Sequence, residues 1–77
     1  MYTVLPSRIP YQVTVSVPDP EGWAVRLFAR APGADFGETI GAPNQPMEVG
    51  SGNEEVVLAV LRGAATTGAY SVSLSPV

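Results

Sequence analysis

Glu54-Glu55-Val56-Val57-Leu58-Ala59-Val60-Leu61-Arg62 is the most apolar run in the chain, and its reading decides the fold. Two conformations compete for it. Asn53 suits a helix N-cap, Glu54 and Glu55 suit a first helical turn, and Arg62 followed by Gly63 suits a helix end. Such a helix would be only about two and a half turns long, would hold three β-branched valines, and would be apolar all the way round. A short apolar run with glycine beyond each end fits a buried strand better. The expectation is a central strand over 54–62 with both faces buried, with a short helix as the competing reading.

Downstream of this run, residues 63–68 read as a flexible loop of small residues. Tyr70, Val72 and Leu74 then alternate with Ser71, Ser73 and Ser75 in a last strand ending at Pro76. This strand is expected to pair with 54–62 as an antiparallel hairpin. Upstream, residues 32–53 are rich in glycine and proline, with short strands expected at Glu38-Thr39-Ile40 and Met47-Glu48-Val49. Residues 23–31 place Trp23, Val25, Leu27, Ala29 and Ala31 on one face and Ala24, Arg26, Phe28 and Arg30 on the other. Residues 11–17 alternate most cleanly, with Tyr11, Val13, Val15 and Val17 opposite Gln12, Thr14 and Ser16. Pro18-Asp19-Pro20-Glu21-Gly22 between them is turn chemistry, which predicts a hairpin of 11–17 with 23–31.

These strands describe an all-β chain: a small antiparallel β-sandwich or barrel of about six to seven strands over residues 11–77, preceded by an extended N-terminal arm over 1–10. The expected core is Val13, Val15, Val25, Leu27, Val56, Leu58, Val60, Val72 and Leu74, with aromatic help from Tyr11, Trp23 and Tyr70.

Composition narrows the chemistry. A chain of 77 residues buries only about 60% of its unfolded surface, so the core is small. With neither cysteine nor histidine, it has no disulfide framework and no Cys/His metal site. The same absence removes Ser-His-Asp and Cys-His catalysis, and the absence of lysine removes Schiff-base and Ser-Lys chemistry. Seven acids against four arginines, for a net charge of −3, disfavour a nucleic-acid partner. The longest uninterrupted apolar run, Val56 to Leu61, is far too short to span a membrane as a helix, and residues 1–6 lack the features of a signal peptide. Charged residues are only 14% of the chain, against roughly 25% in typical soluble domains, which suits equally a small domain solvated by serine and threonine and a surface that is covered in an assembly.

The remaining candidate motifs resolve toward structure. Asp19-Pro20-Glu21 and Asp35-Phe36-Gly37-Glu38 offer two carboxylates each, too few for calcium's six to eight oxygen ligands, so no metal or other cofactor is expected. Gly50-Ser51-Gly52 lacks the third glycine of a dinucleotide fingerprint. Arg26-Phe28-Arg30 suits an anionic or aromatic partner, but reads more simply as a solvent-facing strand whose arginines pair with glutamates.

Tyr11, Val13, Leu27, Phe28, Gly68, Tyr70 and Val72, within a YxVxV strand, a WxVxLF strand, an EExVLxV strand and a closing GAYSVSL, resemble the bacterial pre-peptidase C-terminal β-sandwich modules over about residues 11–75. Trp23 and Arg26 stand where that family places acids, so no metal or ligand site is carried over from it. In size, acidity and general style the chain is also similar to the small decoration proteins of virus capsids, a likeness that implies a cap gluing neighbouring subunits and no catalytic residue.

Function is therefore expected in binding. The leading expectation is a non-catalytic structural protein of a virion or other assembly, with a protein partner in that assembly or further copies of itself. The alternative is a surface- or carbohydrate-binding module of a larger secreted protein. The arm carries Tyr2, Val4, Leu5 and Ile9, while Pro6 and Pro10 bar it from a regular central strand. It is expected to reach a neighbouring subunit rather than fold back on its own domain, and Phe36 and Met47 are secondary contact candidates as large apolar residues in expected loops.

Overall fold

A computed structural model describes residues 1–63 and 68–77. Residues 64–67 of the expected small-residue loop lie outside the described residues. Seven strands are present among the described residues: β1 (Tyr2–Leu5), β2 (Tyr11–Ser16), β3 (Trp23–Arg30), β4 (Gly37–Gly41), β5 (Met47–Val49), β6 (Glu55–Arg62) and β7 (Ser71–Pro76). All pairings are antiparallel and no described residue is helical. A four-stranded sheet runs β1-β6-β3-β4 and a three-stranded sheet runs β5-β2-β7. The two stack as an open sandwich rather than closing into a barrel.

The decisive run is strand β6. It pairs with β1 on one side and with β3 on the other, the latter from Trp23↔Arg62 to Arg30↔Glu55. Val56, Leu58 and Val60 point inward and are buried, with Val25 and Leu27 of β3 beside them and Val13 and Val15 of β2 also fully enclosed. A helix over the same residues would spread its valines around a cylinder. The strand aligns every second residue on one face, where a second sheet can cover it.

Two expected hairpins do not form. Strands β2 and β3 belong to different sheets, because both edges of β2 are taken by β5 and β7. Residues 18–22 instead cross between layers: the Asp19 carboxylate accepts the Glu21 N–H at 3.1 Å, and Gly22 supplies a positive φ of 85°. Asn44 closes the end of β2, accepting the Val17 N–H at 2.9 Å and donating to the Val17 carbonyl at 3.1 Å. Likewise β6 and β7 are not partners. Strand β6 is already flanked by β1 and β3, and the Gly63 N–H is tied to the Gly22 carbonyl at 2.8 Å, so β7 completes the other sheet beside β2.

The core also differs from expectation at its margins. Leu74 lies opposite the buried Val13, yet is 44% exposed on the edge strand β7. Leu5, Val17, Met47 and Val49 join the core instead. Met47 packs so closely against Gly41 that a Cβ there would overlap its sulfur, which explains a glycine at the end of β4. The arm is not free to reach out along its length: residues 2–5 form the edge strand of the protein's own four-stranded sheet.

Two outcomes follow. Leu58→Ala leaves a cavity between the sheets and should cost about 2–5 kcal/mol by denaturant unfolding. Tyr11 is buried and donates its hydroxyl to the Pro6 carbonyl at 2.7 Å, and burial raises its pKa above 10.0. A raised pKa favours the folded state below the unfolded value and loses that contribution as pH rises through the folded one. Stability should therefore fall more steeply above about pH 10 in the parent than in Tyr11→Phe, a difference read from thermal unfolding across the alkaline range.

Candidate protein-binding face

Each sheet of a two-layer sandwich has one inner and one outer face, and here the outer faces are chemically opposite. The three-stranded sheet turns Gln12, Thr14 and Ser16 of β2 and Ser71, Ser73 and Ser75 of β7 outward, the polar exterior that antiparallel sheets ordinarily present to water. The four-stranded sheet does the reverse. One cross-strand row reads Tyr2, Ala59, Arg26, Ile40 and the next reads Val4, Val57, Phe28, Glu38, with Leu61 and Ala24 beyond the first. Tyr2, Val4 and Ile40 are 72%, 75% and 71% exposed, and Leu61 is 47% exposed.

The expectation that both faces of β6 are buried is therefore corrected. The inner face is covered by the second sheet. The outer face has no described element over it: Ala59 is shielded only by its neighbours within the sheet, Val57 is half-buried, and Leu61 is open. The twelve outward positions of this sheet, about 4.8 Å apart between strands and about 7 Å apart along them, span roughly 400 Å²; Arg26, Arg30, Glu38 and Glu55 hold four of them, which leaves roughly 270 Å² to apolar side chains. That approaches the roughly 300–600 Å² of the largest apolar patch on a typical monomer, which is often functional.

This face also carries charge, with Arg26 and Glu38 inside the two rows and Arg30 with Glu55 at one end. Arg30 pairs with Glu55 at 3.0 Å and Glu54 at 3.5 Å, and its guanidinium lies 5.7 Å from the Phe36 ring centroid. These partly exposed pairs are worth little, roughly 0.2–1 kcal/mol each. They match the simple reading of the Arg26-Phe28-Arg30 strand for Arg30 but not for Arg26. Arg26 donates to the Val25 carbonyl at 3.0 Å, and among the described residues it has no carboxylate partner.

Of the residues singled out in the sequence, Tyr2 and Val4 lie on this face and Phe36 lies beside it against Arg30. Ile9 is exposed in the connection between β1 and β2. Leu5 and Met47 are corrected: Leu5 faces inward opposite Val56, and Met47 sits on β5 opposite Val13, so both are core side chains. Ile40, Leu61 and Val57 were missed as surface residues. The signal for Val57 and Leu61 was the lack of alternation in 56–61, where apolar residues occupy both parities; Ile40 stood in an expected short strand with no such signal.

At one end of the sandwich, an open depression of about 840 Å³ is lined by Met1, Trp23, Val60, Leu61, Arg62, Gly68, Ala69 and Tyr70. Trp23 and Tyr70 meet edge to face with centroids 5.7 Å apart, and Arg62 is engaged with the Gly68 carbonyl at 2.9 Å. Among the described residues no three acidic side chains cluster to hold a metal ion. Compared with known proteins, the chain matches no family model, no curated protein and no solved structure.

Because Ile40 and Leu61 are exposed, Ile40→Asp with Leu61→Asp should cost no more than about 1 kcal/mol per site, the span of strand propensity, while sharply lowering binding of an apolar fluorescent dye. A large loss of stability would show that these side chains belong to the fold itself.

Proposed function

We propose that this chain is a non-catalytic structural protein that docks the outer face of its four-stranded sheet onto a protein partner in a larger assembly, such as a virus capsid. The observation that carries the reading is the contrast between the two outer faces. A sheet that exposes Tyr2, Val4, Ile40 and Leu61 while its companion exposes hydroxyls and amides has one side suited to water and one suited to a protein. Burial of such side chains stabilises a complex by about 25 cal/mol per Å² removed from water, before the costs of association are met. Arg26, within the apolar patch and without a carboxylate, suits an acidic or carbonyl group of the partner.

A second reading has its own observation: the depression is lined by Trp23 and Tyr70, aromatic residues of the kind whose ring faces pack against sugars. Docking through the sheet face is separated from it by co-sedimentation with purified particles of the host assembly. The Ile40→Asp variant, which does not touch the depression, should leave the pellet while Trp23→Phe stays in it. Retention of Ile40→Asp at parental levels would remove the sheet face as the docking surface, and a Trp23 fluorescence change on adding oligosaccharide would support the second reading.

A further inference from the structure

We propose that this chain forms a dimer by antiparallel pairing of β1 with β1 of a second copy. The inference goes beyond the docking reading and stands without it, since it concerns the chain alone.

The hydrogen-bond phase of β1 carries the argument. Met1 and Val60 exchange both backbone bonds, Met1 N–H to the Val60 carbonyl at 3.1 Å and Val60 N–H to the Met1 carbonyl at 3.0 Å. Antiparallel ladders alternate, so Thr3 with Leu58 and Leu5 with Val56 are the next bonded pairs. The N–H and C=O groups of Tyr2 and Val4 therefore point away from β6, toward the open edge. A two-fold axis beside Thr3 sets Tyr2 of each copy opposite Val4 of the other, and these residues then exchange four backbone hydrogen bonds. The arrangement is self-complementary, as an isologous contact requires.

The other edges are less suited to it. Strand β4 carries Glu38 between terminal glycines, β5 is three residues long and carries Glu48, and β7 ends in Pro76, which has no N–H. Strand β1 carries no charge and no proline, the features that ordinarily keep an edge from pairing.

The test is sedimentation equilibrium of the purified chain over a dilution series, with amide hydrogen exchange read by NMR at both ends of it. The expected mass is twice the 8.0 kDa of one chain at high concentration. Tyr2 and Val4 amides should exchange slowly only in the dimer, while Thr3 and Leu5 are protected throughout. Val4→Pro removes an N–H that β6 does not use, so it should give a monomer with unchanged far-UV circular dichroism. If that variant fails to fold, the alternating amide pattern in the parent decides alone. A parent that is monomeric at every concentration overturns the proposal, including the case in which β1 amides become protected only on adding the host assembly. A dimer that persists in Val4→Pro, or is abolished by Ile40→Asp, overturns it in favour of face-to-face pairing.

Discussion

The structure depends on the pairing of β6 between β1 and β3. Through that pairing Leu58 lies level with Leu27 and Val56 with Ala29, and Leu5 is drawn in from the edge. The inner face so formed is the half of the core to which β2 contributes Tyr11, Val13 and Val15 from the other layer. In a chain of this size, without disulfide or metal, that apolar contact is the main favourable term set against the cost of ordering the backbone.

The same pairing creates the exposed face. A strand has two sides, a two-layer sandwich covers one, and β6 is apolar on both. Its neighbours share this property: Ala24 and Phe28 on β3, Tyr2 and Val4 on β1, and Ile40 on β4 fall on the outer side by register. The patch is therefore not a scatter of single exposed residues but the consequence of aligning four strands whose outward positions are mostly apolar. The three-stranded sheet shows that the chain has hydroxyls and amides to use for an exterior and places them on the opposite side.

How the chain crosses between layers determines which strands become edges. Residues 6–10 and 18–22 both carry it from one sheet to the other, with a positive φ at Arg8 and at Gly22. Strand β1 consequently ends at the border of the four-stranded sheet with one side unpaired. Its two unsatisfied backbone pairs, at Tyr2 and Val4, belong to the residues whose side chains lie on the apolar face. Edge and face are thus parts of one surface.

Strand identity was legible in the sequence because it follows from local pattern. Alternation over 11–17, prolines and glycines between runs, and the β-branched content of 54–62 each constrain the backbone within a few residues, and the observed strands match them. The inward residues of β2 and β3 were legible for the same reason. Pairing was not, because two strands separated by a short turn can meet side by side or stack in opposite layers, and the local turn chemistry of 18–22 is compatible with both. Exposure at the margins was equally hidden: Leu5 follows no clean alternation and is enclosed, whereas Leu74 alternates with serines and is open, although both lie on edge strands. Apolar residues at both parities of β6 showed in the sequence that two faces would seek cover. Only the tertiary structure decided that a single face receives it from this chain, because seven short strands make two layers and not three.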